Sequence, residues 1–238
     1  MDTGLKGRTV LITGASQNMG RLAALTFARE GANLAICTST KIKELNEVAE
    51  EARGLGAGVA AARCDVTDPA SVADFVKIAH QQFGRLDVVV NTAGSRCETP
   101  FMELGLEEWN HTFAVNVTGP MLICRSVIPH MKVRKWGRII NLAGLASYLG
   151  TAPAKAMVKH AVVGLTRGLA REFGQYNITA NCIAPGGGTN RKVVRPAQPI
   201  RRQGQREEFV SMMIYLASEN AGFITGQCHI ADGGTYFQ

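Results

Sequence analysis

Short apolar, β-branched runs alternate with segments of helical period along the whole chain, and this alternation limits the fold more than any other feature. The runs at 8–13 (RTVLIT), 33–38 (NLAICT), 58–64, 86–91 (LDVVVN), 137–142 (GRIINL), 178–184 and 227–231 read as strands. Between them the spacing predicts helices over 20–30, 41–55, 68–83, 118–134, 155–173 and 205–218. Parallel strands need a long crossover connection, and a helix is the usual one. The chain is therefore read as α/β, a doubly wound parallel sheet of about seven strands with helices on both faces. No internal repeat, low-complexity segment or linker interrupts the pattern, so residues 1–238 form a single domain. Sheets of this type bind ligands beyond the carboxyl ends of their strands.

Composition narrows the class further. Of 238 residues, 46% are hydrophobic, enough for one sizeable core. No apolar run reaches the ~18 residues of a membrane helix. The start, MDTGLKGRTVLITG, passes straight into a strand without a basic, apolar leader, which predicts a cytoplasmic protein. Six scattered cysteines form no CxxC pair and lie near no histidine cluster, so reduced thiols are expected rather than a zinc site. A net charge of +7 suits anionic partners such as phosphorylated cofactors, thioesters or an acidic carrier protein. With few aromatics and no nucleic-acid motif, neither nucleic acid nor membrane is an expected partner.

After the first strand comes Thr13-Gly14-Ala15-Ser16-Gln17-Asn18-Met19-Gly20, and then a helix. Gly14 permits a tight turn, Gly20 permits close helix–strand packing, and the N–H groups at the helix start can hold a pyrophosphate. Further along stand Cys64-Asp65-Val66, Asn91-Thr92-Ala93-Gly94, Asn116 in NVTG, Pro185-Gly186 and Asp232-Gly233-Gly234. In these motifs the chain resembles the short-chain dehydrogenase/reductase family over essentially its whole length. Asn18 stands where the family has its middle glycine, and asparagine tolerates the left-handed backbone better than other side chains. The resemblance implies a Rossmann-type domain and a dinucleotide site built from Gly14, Ser16, Asn18, Met19, Gly20, Thr38, Ser39, Asp65, Val66, Asn91, Ala93, Gly94, Lys159, Pro185 and Gly186. It also implies a homo-oligomer, tetramer or dimer, formed through the helices over 118–134 and 155–173.

The end of the second strand reads Thr38-Ser39-Thr40-Lys41, with no carboxylate for a ribose 2′-hydroxyl. Hydroxyls and a lysine suit a 2′-phosphate, so NADP(H) is favoured and NAD(H) is the alternative.

The chemistry would lie in Asn141–Lys159, NLAGLASYLGTAPAKAMVK. The family uses a serine after the fifth strand, a YxxxK pair and an asparagine. Alignment through Lys159 and the run after it matches Lys159 to the family lysine and Asn116 to the asparagine. The serine position is then Gly144 and the tyrosine position Lys155, on a shortened connection. Three readings stay open. Redox chemistry is lost and the fold serves as a cofactor-binding pseudoenzyme, a lyase or an isomerase. Alternatively Tyr148, with or without Ser147, folds over the nicotinamide and replaces the missing hydroxyls. In the third reading Lys155 supplies an amine as acid, base or Schiff-base nucleophile. The leading expectation is an NADP(H)-dependent oxidoreductase-like protein acting on a carbonyl/alcohol pair, its substrate a small molecule or carrier-bound. The stretch from Gly186 to Gln205 is shorter than the family's substrate lid, and the glycines at 186–188 suggest a mobile or extended connector. Six basic residues lie in or just beyond it, Arg191, Lys192, Arg195, Arg201, Arg202 and Arg206, able to steer an anionic substrate or merely to line a solvated loop.

Overall fold

The computed structural model describes residues 2–186 and 198–237. Strands β1 (Thr9–Thr13), β2 (Asn33–Thr38), β3 (Val59–Arg63), β4 (Val88–Asn91), β5 (Gly137–Leu142), β6 (Ile178–Pro185) and β7 (Cys228–Ala231) form one sheet in the order β3-β2-β1-β4-β5-β6-β7. Every neighbouring pair is parallel. The order reverses direction between β1 and β4, and the carboxyl ends of those two strands therefore open a crevice between helices on opposite faces.

The helices are α1 (Asn18–Arg29), α2 (Ile42–Gly54), α3 (Pro69–Phe83), α4 (Leu106–Phe113), α5 (Gly119–Arg134), α6 (Ala146–Leu149), α7 (Pro153–Phe173) and α8 (Arg206–Ala217). They divide over the two sheet faces. One face packs Leu34, Ile36, Val88 and Val90 against α1, α2 and α8, through side chains such as Phe27, Val48 and Met213. The other packs Leu11, Val89 and Ile139 against α3 and α5, through Phe75, Ile123 and Val127. Strands buried on both faces must be apolar at nearly every position, which is why the sequence runs are continuous rather than alternating.

Local signals set the ends of several elements. Asp68 caps α3 by accepting from Ala70 N at 3.0 Å, and Pro69 occupies the first helical position. Gln205 and Glu208 form a reciprocal capping box at α8. Helix α7 begins two residues before the expected Lys155, because Pro153 fits a first helical turn. The short α6 has no counterpart among the helices that the spacing predicts.

Residues 187–197, including Arg191, Lys192 and Arg195, lie outside the described residues. From Gln198 the chain is anchored to the body of the protein, while Ile200, Arg201 and Arg202 are exposed. Gln198 is buried and donates to Ile200 O and Arg202 O, both at 2.7 Å, and Ile200 N donates to Gly233 O at 3.0 Å. Arg202 pairs with Glu208 at 2.6 Å, so this cation is engaged within the chain.

Candidate active site

A cleft of about 1080 Å³ runs along the carboxyl ends of β1 to β6. Its floor is the β1–α1 turn. Gly14 has φ +66°, and a Cβ there would lie 2.9 Å from Ala93 Cα. A Cβ on Gly20 would overlap Gly14 O and Thr92 Oγ1, so helix and strand meet at backbone distance. Asn18 takes φ 51°, the left-handed backbone its residue type tolerates. Gln17 precedes α1 in extended conformation and makes no side-chain cap, which leaves the first N–H groups of the helix for an anion. Two glycines demanded by close approach and an uncapped helix start fit a pyrophosphate.

Ser16, Met19, Thr38, Ser39, Asp65 and Val66 line the same cleft. Ser16 Oγ donates to Thr38 Oγ1 at 3.2 Å and Lys41 Nζ to Gln17 Oε1 at 2.5 Å. Arg63, in register with Thr38 on the neighbouring strand, donates to Ser39 O at 3.0 Å. Arg63 is absent from the residues that the motifs mark, although counting the parallel register from Thr38 would have found it. Asp65 accepts from Thr67 N and Thr67 Oγ1, and these bonds lower its pKa. The rim beside Thr38 carries the cations Lys41 and Arg63, with the Asp65 carboxylate on the same wall.

Ala93 and Gly94 line the cleft as expected, but Asn91 does not. It is buried, donates to Asn141 Oδ1 at 2.8 Å, and Asn141 donates in turn to Thr166 Oγ1 at 3.0 Å. Asn91 thus ties β4 to β5 and α7 beneath the site. Its orientation follows from strand parity: Thr92, one residue on, turns to the β1 end and donates to Thr13 O. Asn116 sits in a π-helical turn between α4 and α5 and donates to Thr112 O and Ser95 O, both at 2.9 Å. It lines the cleft and fixes the loop after β4.

The segment after β5 brings Gly144, Lys155 and Lys159 to the cleft and leaves Tyr148 out. Lys159 Nζ donates to Leu142 O at 2.9 Å. Its pKa is pushed down to about 8, first by burial and then by the charge of Lys155. Lys155, one helical turn earlier, places Nζ 3.6 Å from Glu98 Oε1. Gly144 faces the Lys159 stem, and a Cβ added there would make ordinary contact at 3.4 Å. Tyr148 instead packs its ring against Tyr236 at 5.2 Å and His160 at 5.6 Å, beside Ala143, Val163 and Cys182. The cause is local. Ser147 Oγ donates to Gly144 O at 2.8 Å, curling the chain into α6, and α6 directs Tyr148 toward β6 and β7. Ser147 and Tyr148 thus stand outside the lining of the cleft. Ala152, before Pro153, takes φ 51°, a strained conformation for a residue with a Cβ.

Pro185 and Gly186 complete the far wall. A Cβ on Gly186 would overlap Asp232, whose carboxylate accepts from Gly234 N, Thr235 N and Tyr236 N. Glu98, Arg96 and His111 also face the cleft; they lie in the loop after β4 and in α4, where no motif marks them.

A doubly wound parallel sheet with this anion cradle at its switch point defines a dinucleotide-binding oxidoreductase scaffold. Comparison with known proteins agrees. A family model described as enoyl-(acyl carrier protein) reductase matches residues 14–236. The chain is 33% identical over 243 residues to the (2S)-[(R)-hydroxy(phenyl)methyl]succinyl-CoA dehydrogenase subunit BbsD of Thauera aromatica, covering 97% of each chain. It is 32% identical over 242 residues to the 3-oxoacyl-[acyl-carrier-protein] reductase FabG of Staphylococcus aureus, covering 96% of this chain and 98% of the relative. The crystal structure of a short-chain type dehydrogenase/reductase from Mycobacterium marinum superposes with a TM-score of 0.92 at 31% identity, covering 98% and 97% of the two chains. The protein belongs to the short-chain dehydrogenase/reductase family of oxidoreductases.

Proposed function

We propose that the protein is an NADP(H)-dependent reductase that interconverts a carbonyl and its alcohol, with Lys155 at the proton-transfer position. The observation carrying this reading is the placement of Lys155. It lies in the cleft one helical turn before Lys159 and pairs with Glu98 at 3.6 Å. A bound nicotinamide supplies the hydride. The N-terminus of α1 holds the pyrophosphate, Lys41 and Arg63 bind a 2′-phosphate, and Lys159 holds the ribose. Lys155 directs an ammonium N–H at the carbonyl oxygen and yields a proton as the oxygen gains charge. Such a group typically contributes ~10²–10⁴-fold. Glu98 orients the Lys155 ammonium as its partner.

The substrate class proposed is a small-molecule or carrier-bound carbonyl compound, and the relatives' printed names, with their coenzyme A and carrier-protein substrates, support that range. We also propose a homo-oligomer formed through α5 and α7, to be checked by sedimentation equilibrium. A cytoplasmic location is part of the same proposal; no helix among the described residues is long and apolar enough to cross a membrane.

The test is NADPH oxidation across a panel of ketones and acyl thioesters. Turnover is expected, falling at least ~10²-fold in Lys155→Met while Tyr148→Phe keeps the wild-type rate. The lack of hydroxyls at Gly144 and Lys155 favours a second reading, a cofactor-binding protein without redox activity. NADPH binding by calorimetry with no turnover across the panel selects that reading, and failure to bind either dinucleotide overturns both.

A further inference from the structure

Cys182 and Cys228 stand opposite one another on adjacent parallel strands, β6 and β7. We propose that they form a redox-active dithiol, with Cys228 the site of attack on a hydroperoxide and Cys182 the resolving thiol that closes a disulfide.

The geometry carries this first. Register partners on neighbouring strands project their side chains to the same face and lie about 4.8 Å apart at Cα. A disulfide accepts Cα separations of ~4.4–6.8 Å, so the bond forms without displacing either strand. Each thiol shifts the titration of the other. They belong to a small cluster on one face of the sheet, where Tyr148 packs over them from α6. Cys228 is partly exposed on the outermost strand, and Cys182 is fully buried behind it.

The charges around the pair assign the roles. The groups facing Cys228 are the Cys182 thiol on β6, the Tyr148 hydroxyl on α6 and Arg167 on α7. Cys182, then Tyr148 and Arg167, hold the Cys228 thiol down to about 7 against the opposing effect of burial. Cys182 is raised instead, chiefly by Cys228 and by burial. The partly exposed sulfur is thus the thiolate, and thiolate is the nucleophile. Cys37 and Cys64 also pair, at the end of β2 and just beyond β3, but both are sealed from solvent. That second pair serves as an internal control.

The chemistry balances. The Cys228 thiolate attacks one oxygen of hydrogen peroxide, the O–O bond breaks, and hydroxide leaves with the electron pair while Cys228 becomes a sulfenic acid. Cys182 sulfur then attacks Cys228 sulfur. The sulfenic hydroxyl leaves as water with the Cys182 proton, and the first hydroxide is neutralised by solvent. Two thiols are oxidised to one disulfide and one peroxide is reduced to two waters. Closure also removes the thiolate acceptor of the Tyr148 hydroxyl and so loosens the anchor of α6, the helix just after Gly144.

The wild-type protein provides the test. It is treated with hydrogen peroxide near pH 8, its remaining thiols are alkylated, and it is digested with trypsin for mass spectrometry. The peptide containing Cys182 and the peptide containing Cys228 are expected as a linked pair that dithiothreitol separates. In Cys182→Ser, Cys228 is expected as a sulfenic acid that dimedone traps. Recovery of both wild-type peptides fully alkylated, or of a Cys37–Cys64 link in their place, overturns the proposal. Tyr148→Phe adds a reading on the reduced protein: the pH midpoint for alkylating Cys228 moves upward. An unmoved midpoint overturns the assigned role of Tyr148.

Discussion

Lys159 is the residue at which burial and function conflict most directly. Its ammonium is held near Leu142 O but loses hydration, and its pKa falls to about 8. An unfolded lysine titrates near ~10.4. Between those two values the unfolded chain binds the proton and the folded one does not, so stability rises with pH across this window. Below about 8 both states are protonated, and the folded state carries the full penalty. Lys159→Met is therefore expected to raise the thermal midpoint of the cofactor-free protein at pH 7. The gain should shrink as pH rises from 8 toward 10.5, and calorimetric scans at several pH values read it. A gain independent of pH would assign the effect to packing instead. The sequence marks Lys159 through its place in the motif, and Gly144 and Lys155 by the same alignment. It does not decide between Tyr148 and Lys155, because that depends on a Ser147 bond to Gly144 O that turns a ring away from the cleft. Glu98 is illegible for a related reason: its partner lies far along the chain, and only the fold brings them together.

At the scale of elements, the proposed preference for NADP(H) rests on the ends of β2 and β3. Thr38 and Arg63 are register partners, and Lys41 reaches back to Gln17 across the same rim. Arg63→Gln is expected to raise the Kd for NADPH about 10- to 100-fold, the size of a lost charged hydrogen bond. The Kd for NADH should stay within about twofold, since no 2′-phosphate is there to lose the contact; paired calorimetric titrations compare the two. Equal losses for both dinucleotides would remove Arg63 from the 2′-phosphate site. The strands are legible because a sheet buried on both faces requires continuous apolar runs, and all seven expected strands stand in the sheet. Their ends differ from the expected ones by a residue or so. Helix α6 is hidden because four residues carry too little periodicity to register. The π-helical turn at Asn116 is hidden because an asparagine donating back to Thr112 O leaves no mark in residue order.

At the scale of the whole molecule, the cleft end of the sheet is open and the opposite end is locked by charge. Asp87 is fully buried, accepts from Thr9 N at 2.8 Å, and pairs with Arg85 at 2.6 Å and Arg8 at 3.6 Å. Arg138, 1% exposed, lies against Trp136 and donates to Ser218 O and Asn177 O. Glu219 joins the group through Arg8 at 2.5 Å and the Trp136 indole at 3.1 Å. Asp87→Ala leaves the partly exposed Arg85 guanidinium and the buried Thr9 N–H without their acceptor, while Arg8 keeps Glu219, and is expected to cost about 1–3 kcal/mol. Urea unfolding measures the loss, while NADPH affinity should hold, since the change lies across the sheet from the cleft. A loss below about 1 kcal/mol would mean that water reaches the cluster.

The same cluster sets an order of events during synthesis. Glu219 N bonds to Thr3 O, and Asn220 donates to Asp2 O, so the far stretch of chain closes over the first strand's base. A ribosome that has released β1 to β5 has exposed a partial sheet whose arginines still lack Asn177 O, Ser218 O and the Glu219 carboxylate. Residue 219 must clear the exit tunnel before the base can shut. Until then the nascent sheet stands with Trp136 and the Arg8 guanidinium open to water.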